Sequence, residues 1–77
     1  MTATLYVMSD GPQIDGIEEI AESCGATIVR DPSMDMQGHL RSIYGIRCYP
    51  AVVSVFGTWE GVRGVRQWAI EELVEVR

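Results

Sequence analysis

Hydrophobic and polar residues follow two periods along the chain, and the changes of period divide it into seven segments. Runs rich in β-branched and apolar residues cover positions 4–8, 26–29 and 51–56, which is typical of strands. A tight turn is predicted at Gly57–Thr58, with residues 59–63 as the hairpin partner of the third strand. Apolar residues recur at helical spacing over residues 12–24, 35–44 and 65–76. The pattern therefore predicts the order β-α-β-α-β-β-α in one α/β domain spanning residues 1–77.

Residues that favour helix ends flank the first two predicted helices. The first helix is expected to begin at a cap supplied by Ser9 or Asp10, with Pro12 in its first turn. The second is expected to begin at Ser33 or Asp35. Each helix is expected to end where a glycine follows, because glycine readily adopts the left-handed conformation that terminates a helix. These two glycines are Gly25 and Gly45.

Two further patterns indicate how the elements pack. A strand, a helix and a second strand within about 30 residues suggest a parallel pair of strands joined by a crossover helix. The run at 51–56 is the strongest strand signal in the chain and is predicted to lie centrally in the sheet. An apolar stripe on the last helix is formed by Trp68, Ala69, Leu73 and Val76.

Composition narrows the classes of function. Of the 77 residues, 47% are hydrophobic, which is enough for one small core that a partner or an assembly would help to stabilise. The formal net charge is −5 and all six basic residues are arginine. The chain therefore has no basic surface for nucleic acid and no lysine for a Schiff base or a phosphate-binding loop.

Cysteine and histidine usage excludes further classes. One histidine, His39, and two cysteines are too few for a four-ligand zinc site or for the disulfide framework of a small secreted protein. We therefore expect no metal and no cofactor. The N-terminal residues 1–6 have neither a basic start nor a long apolar run. We therefore expect no signal peptide and no membrane span, and we expect a cytoplasmic location.

Two segments around the third strand resemble a known family. The sequence YGIRCYP at residues 44–50, followed directly by AVV, resembles the segment of thioredoxins and glutaredoxins that carries a cis-proline before the third strand. The sequence GTWEGVR at residues 57–63 resembles the Trp-x-Gly-Phe-Arg stretch of NrdH-redoxins, the glutaredoxin-like electron donors of ribonucleotide reductase. The resemblance implies a minimal thioredoxin/glutaredoxin fold, with a four-stranded mixed sheet, flanking helices and a cis peptide bond before Pro50.

The residues that carry the chemistry of that family are absent. Its Cys-x-x-Cys motif lies between the first strand and the first helix, and the family's helix length places the matching positions at Gly11–Pro12–Gln13–Ile14. Neither cysteine of the chain lies there, so disulfide exchange by the family mechanism cannot run. Met8 stands where many glutaredoxins carry a lysine, which disfavours glutathione binding. The resemblance therefore implies a redox-inactive relative.

The two cysteines present do not replace the missing motif. Cys24 is predicted near the end of the first helix, and the resemblance puts Cys48 near the start of that helix. A helix of about a dozen residues is roughly 18 Å long, whereas a disulfide needs Cα atoms within about 7 Å. We therefore expect no bond between them, and we interpret Cys24 as a small buried hydrophobic residue. Cys48 is a weak candidate for a reactive thiol, with a strand-edge thiol without a role as the alternative.

The favoured function is a protein-binding module whose groove lies beside the expected cis-proline. There, backbone groups would form β-type hydrogen bonds with a segment of a partner protein. Trp59 and Arg63 either form a patch facing that partner, or Trp59 simply covers the core. The alternatives are a single-thiol redox protein that uses Cys48 and a small structural subunit of a homodimer or larger assembly. The predicted groove consists of Gly11, Pro12, Gln13, Ile14, Cys48, Tyr49, Pro50, Trp59, Gly61 and Arg63.

Overall fold

The computed structural model describes the backbone of residues 3–75 and the side chains of residues 3–72. Its elements follow the predicted order. They are β1 (Ala3–Val7), α1 (Ile17–Ser23), β2 (Thr27–Arg30), α2 (Met34–Tyr44), β3 (Ala51–Ser54), β4 (Gly57–Glu60) and α3 (Gly61–Glu75). No helix in this part of the chain is both long enough and apolar enough to cross a membrane.

The four strands form one mixed sheet in the order β2-β1-β3-β4. β1 pairs with β2 in parallel, as expected for two strands joined by a crossover helix, and with β3 in antiparallel orientation. β3 also pairs with β4 in antiparallel orientation. Tyr6 is opposite Val29 on one side and Ala51 on the other. The prediction that the third strand lies inside the sheet is confirmed.

Helices α1 and α3 pack on one face of this sheet. Alternate residues of β1 point to that face, because side chains along a strand alternate between its two sides. Trp68 of α3 is almost completely buried there, which confirms that the stripe predicted on the last helix faces the core. Leu73 and Val76, which the sequence places on the same stripe, lie outside the residues whose side chains are described. The buried cluster comprises Ala3, Leu5, Val7, Ile17, Ala21, Val52, Val65, Trp68 and Ala69.

The opposite face of the sheet has a smaller apolar cluster. Leu40 is the buried residue of α2, and it packs with Ile46 and Ala51. Two partly buried tyrosines, Tyr6 and Tyr49, and Val53 complete this cluster. The second core is therefore thin, and α2 leaves most of its surface in solvent.

The ends of α2 match the local sequence signals. The Ser33 hydroxyl accepts a hydrogen bond from the backbone N–H of Met36 at 3.1 Å, so Ser33 rather than Asp35 is the cap. Gly45 ends the helix with a φ of 71°, a conformation that a side chain would disfavour. Gly25 follows α1 with a φ of 79°, as predicted.

The predicted start of α1 is wrong. The helix begins at Ile17 after Gly16, so neither Ser9 nor Asp10 caps it and Pro12 lies outside its first turn. The cause is a long-range contact. The N–H and hydroxyl of Ser9 both donate to Oδ1 of Asp31 at 2.8 Å, which ties the chain after β1 to the end of β2.

The predicted hairpin turn is also wrong. Residues 55–56 form the turn, whereas Gly57 and Thr58 belong to β4. The hydroxyl of Ser54 accepts a hydrogen bond from the N–H of Phe56 at 3.1 Å, and the pairing of Ser54 with Gly57 closes a two-residue loop. The last helix accordingly begins at Gly61, four residues earlier than predicted at position 65.

Candidate functional site

The segment between α2 and β3 is fixed at both ends and exposed between them. Ile46 is buried against Leu40, and its N–H donates to the Leu40 carbonyl at 3.4 Å. Pro50 is buried as well, follows a cis peptide bond as the resemblance implied, and accepts a hydrogen bond from the Gly61 N–H at 2.9 Å. Between these anchors, Arg47 and Cys48 are exposed.

The backbone of residues 47–49 has free hydrogen-bonding capacity. Among the described residues, no backbone–backbone hydrogen bond involves Arg47, Cys48 or Tyr49. Their N–H and C=O groups are strong donors and acceptors that water or another chain must satisfy. We call residues 47–49 the open segment, because they form a short stretch with the unpaired groups that a strand edge presents.

Gly61 lies against the open segment. Besides its hydrogen bond to Pro50, a Cβ built on Gly61 would stand 3.9 Å from the Cβ of Cys48. Gly61 has a φ of 77°, which explains the glycine at the β4–α3 junction. The structure therefore brings together four of the predicted groove residues, namely Cys48, Tyr49, Pro50 and Gly61.

The predicted groove residues Gly11–Ile14 are not at the start of a helix, contrary to the sequence prediction. They lie in the loop before Ile17, where the Gln13 side-chain amide donates to the carbonyls of Met8 at 2.8 Å and Gly11 at 3.1 Å. Ile14 is partly buried against the core under α1. In the described chain, no hydrogen bond joins this loop to the open segment.

Trp59 and Arg63 occupy different environments. Trp59 is half-buried and packs against the core beneath α3, in agreement with the second of the two predicted roles. A Cβ added to Gly64 would lie 3.5 Å from the Trp59 carbonyl carbon and 3.6 Å from the Trp59 Cβ, so the small residue lets α3 pack closely on the backbone of β4. Arg63 is exposed on α3. A partner-facing role for these two residues stays a prediction.

The two cysteines are free, and their surroundings differ. Cys24 follows α1 and is partly buried, and burial together with the nearby Glu72 carboxylate raises the pKa of its thiol. Cys48 is exposed on the open segment. Because the thiolate is the reactive form, this raised pKa disfavours reaction of Cys24. In the described part of the chain, no three metal-ligating side chains lie close enough to share an ion.

A cleft of about 350 Å³ separates α2 from the segment that follows it. Sequence reasoning missed this cleft, because the turn at Gly45 brings arginines of two different segments to one surface. The signals that point to it are Arg41 one helical turn after Gln37 and a glycine, Gly38, inside the helix. The cleft is lined by Met34, Gln37, Gly38, Arg41, Ile46, Arg47 and Tyr49.

Tyrosines connect the cleft with the core. Burial raises the pKa of Tyr49, and the neighbouring Tyr6 raises it further. Burial and the nearby Tyr44 likewise raise the pKa of Tyr6. The Tyr49 hydroxyl is buried and has no hydrogen-bond partner among the described residues. These phenols remain protonated and neutral at physiological pH, so they add no negative charge beside the arginines.

Comparisons of the chain with protein-family models, with curated proteins and with solved structures find no match.

Proposed function

We propose that this protein is a redox-inactive member of the thioredoxin fold, of the glutaredoxin type, that binds an extended segment of a partner protein. The fold assignment is supported by the element order, by the parallel pairing of β1 with β2 and by the antiparallel pairing of β3 with both of its neighbours. It is also supported by the two sequence segments, residues 44–50 and 57–63, that resemble thioredoxins and NrdH-redoxins.

The observation that carries the binding function is the open segment. Arg47 and Cys48 are exposed, and their backbone groups have no backbone partner within the described chain. An extended peptide that lies alongside would supply the missing donors and acceptors, as in other proteins that bind a peptide as an added strand. The anchors at Ile46 and Pro50 hold the segment in place beforehand, which reduces the entropy lost on binding.

The lack of dithiol chemistry supports a binding role over an enzymatic one. The loop at 11–14 contains no cysteine, and Cys24 and Cys48 are not bonded to each other. A two-electron exchange within one chain needs two thiols that can form a disulfide. We therefore expect no dithiol reductase activity, as measured by reduction of the insulin disulfides with dithiothreitol as electron donor.

The binding function is tested by selection followed by mapping. Random seven-residue peptides displayed on phage are selected on the protein, and the strongest is titrated into 15N-labelled protein. We expect the amide signals of residues 47–49 to shift most and to become protected from hydrogen exchange. Shifts confined to the edge strand β2 or β4, or no selected peptide at all, would contradict the proposal.

Two variants of Cys48 distinguish binding through its backbone N–H from binding through its thiol. Cys48→Pro removes one N–H of the open segment, and we expect it to weaken peptide binding at least tenfold, which corresponds to about 1.4 kcal/mol. Cys48→Ser keeps the N–H and removes the sulfur, so it should bind peptide as the wild type does. Circular dichroism checks that both variants fold. If both variants lose the same peptide affinity, the thiol rather than the backbone N–H is responsible for binding.

The exposure of Cys48 favours one alternative, a single-thiol redox protein. In that reaction the Cys48 thiolate attacks oxidised glutathione, forming a mixed disulfide and releasing one glutathione thiolate. The test is mass spectrometry after incubation with oxidised glutathione. Modification of Cys48 that exceeds that of a free cysteine peptide, and is reversed by reduced glutathione, would support this alternative. Modification at the rate of the free peptide would exclude it.

Exposed apolar side chains favour a second alternative, a structural subunit. Val55 and Phe56, at the tip of the β3–β4 hairpin, are 79% and 75% exposed, and Ile70 on α3 is 58% exposed. Such residues are candidates for contacts between copies of the chain. Sedimentation equilibrium tests this at micromolar concentration. A monomer excludes the alternative, whereas a dimer broken by Phe56→Ser supports it.

A further inference from the structure

The cleft beside α2 has a charge opposite to that of the chain as a whole. The chain carries 11 acidic and six basic residues, yet two arginines and no carboxylate line the cleft. Arg41 comes from α2 and Arg47 from the open segment. Among the described residues the one ion pair is that of Arg30 with Glu18, so neither arginine of the cleft is neutralised by a neighbour. Two arginines without an ion-pair partner, from two different segments, therefore line one cleft, and such a pair suits an anionic group.

Gly38 lies in the interior of α2 and lines the cleft. It lies inside α2 without a positive φ, and a Cβ built there would meet nothing within 4 Å. Glycine in a helix interior is about 1 kcal/mol less favourable than alanine. Neither backbone conformation nor close packing requires this glycine, and it leaves space for a ligand beside the cleft.

The other residues that line the cleft indicate which groups of a ligand would bind beside the anionic group. Met34, Ile46 and Tyr49 supply apolar surface, and Met34 is 81% exposed. The Gln37 side-chain amide is engaged, because it donates to the Pro32 carbonyl at 2.9 Å. At about 350 Å³ the cleft lies at the small end of ligand sites. It fits one or two side chains of a peptide better than a large cofactor.

We infer that the cleft binds an acidic side chain of the partner segment held by the open segment. This inference rests on the proposed function. Arg47 and Tyr49 belong to both the open segment and the cleft wall, so a peptide that pairs with residues 47–49 passes the mouth of the cleft. An aspartate or glutamate at that point accepts hydrogen bonds from Arg41 and Arg47, and an adjacent apolar residue covers Met34. The partner sequence is therefore acidic and apolar at neighbouring positions.

The test is a peptide selection on four proteins. Random seven-residue peptides are selected on wild type, Arg41→Gln, Arg47→Gln and Arg66→Gln, and the acidic content of the selected peptides is read by sequencing. Arg66 is an exposed arginine of α3, so its variant changes net charge equally without touching the cleft. We expect enrichment in aspartate and glutamate on wild type and Arg66→Gln, and loss of enrichment on the other two.

The outcomes separate the two proposals. No selected peptide on the wild type means that the proposed function fails, and this inference with it. If the selected peptides shift the amide signals of residues 47–49 but are not enriched in aspartate and glutamate, the proposed function stands and this inference is overturned. Acidic enrichment that persists in both Arg41→Gln and Arg47→Gln overturns it as well.

Affinity measurements test whether the acidic side chain of the peptide binds in the cleft. The strongest wild-type peptide should bind about tenfold tighter than the same peptide with glutamine for glutamate, and the difference should shrink when salt rises from about 0.05 to about 0.5 M. Gly38→Leu adds a bulky side chain to the lining of the cleft and favours the helix, so it should abolish the difference while the protein stays folded. Persistence of the difference in Gly38→Leu overturns the inference. Succinate or inorganic phosphate binding as tightly as the acidic peptide also overturns it, in favour of a small-molecule anion.

Discussion

The two faces of the sheet differ in how completely their helices cover them. On the α1 and α3 face, nine described residues form a buried cluster around Trp68. On the α2 face, three residues do so, and Ile43 and Tyr44 of α2 stay 57% and 44% exposed. Apolar burial is the main source of stability in a domain of this size, so the first face holds the fold together.

The thinner face is where the features that suggest binding are found. The open segment and the cleft both adjoin α2, and the helix contains a glycine that weakens it. Regions with few buried contacts open at lower free energy than the core, and binding sites are often built from them. The difference between the faces predicts that substitutions on the first change stability most, and that substitutions on the second change binding with a smaller effect on stability.

The largest expected effect is that of Trp68→Ala. Trp68 is 1% exposed at the centre of the first face, and removing a buried aromatic side chain lowers the free energy of unfolding by about 3–5 kcal/mol. Urea denaturation followed by circular dichroism measures this loss.

A second variant keeps the test informative if Trp68→Ala does not fold. The indole N–H of Trp68 is buried without an acceptor among the described residues. Trp68→Phe removes that unsatisfied donor, so part of the loss from the smaller ring is offset. A loss of about 3 kcal/mol or more in Trp68→Phe, which is the size expected for removing the whole ring, would contradict this packing.

Leu40→Ala is the matching change on the second face. Leu40 is equally buried, but its partners include half-buried side chains that can relax into the space left behind. We expect a loss of about 2–3 kcal/mol, at the lower end for a buried leucine. Urea denaturation under the same conditions gives the comparison. A loss larger than that of Trp68→Ala would mean that the faces contribute in the opposite order.

Two glycines, Gly38 inside α2 and Gly45 directly after it, test the comparison at a smaller scale. Gly38→Ala should raise the free energy of unfolding by about 0.5–1 kcal/mol, because alanine favours the helix and the added Cβ meets no atom within 4 Å. Gly45→Ala is the control. Its φ of 71° disfavours a side chain, so the same substitution should destabilise by about 1 kcal/mol. Thermal unfolding measures the opposite changes in stability expected for the two variants. Destabilisation by Gly38→Ala would show that the fold needs this glycine.

Sequence reasoning succeeded where the determining contacts are local. The cap at Ser33 and the stop at Gly45 lie within one turn of the helix that they bound, so a short window contains them. It failed where a contact with a residue far along the chain determines the local structure. Ser9 appeared to be a helix cap, but its partner Asp31 is 22 residues away. Val55 and Phe56 continue an apolar run and still form the turn, because the hairpin register places the bend there.

The candidate site follows the same division. The exposed stretch before Pro50 was predicted from a contiguous sequence segment, and the structure brings it next to Gly61. The cleft was not predicted, because Arg41 and Arg47 line one surface only after the chain turns at Gly45. Its recognition depends on the positions of side chains from two elements, which no periodicity along the chain encodes.

The smallest expected effect is on the pH dependence of stability, through the contact between Ser9 and Asp31. Hydrogen bonds from the Ser9 backbone N–H and hydroxyl lower the pKa of the Asp31 carboxyl. A carboxylate with a folded-state pKa below its unfolded value stabilises the fold above the unfolded pKa, and this contribution is lost as the pH falls through the folded value. Asp31→Asn keeps an oxygen acceptor and tolerates the φ of 50°, so it removes the charge alone.

Wild type should therefore unfold at a higher temperature than Asp31→Asn at neutral pH, and the difference should vanish on acidification. The direct measurement is the titration of the Asp31 side-chain carboxyl by 13C NMR in wild type and in Ser9→Ala. Because Ser9→Ala removes the hydroxyl donor and keeps the N–H donor, the pKa should rise only part of the way to that of an ordinary aspartate. An unchanged pKa in Ser9→Ala would assign the effect to the backbone bond, and an ordinary pKa in wild type would mean that the contact between the ends of β1 and β2 is not formed in solution.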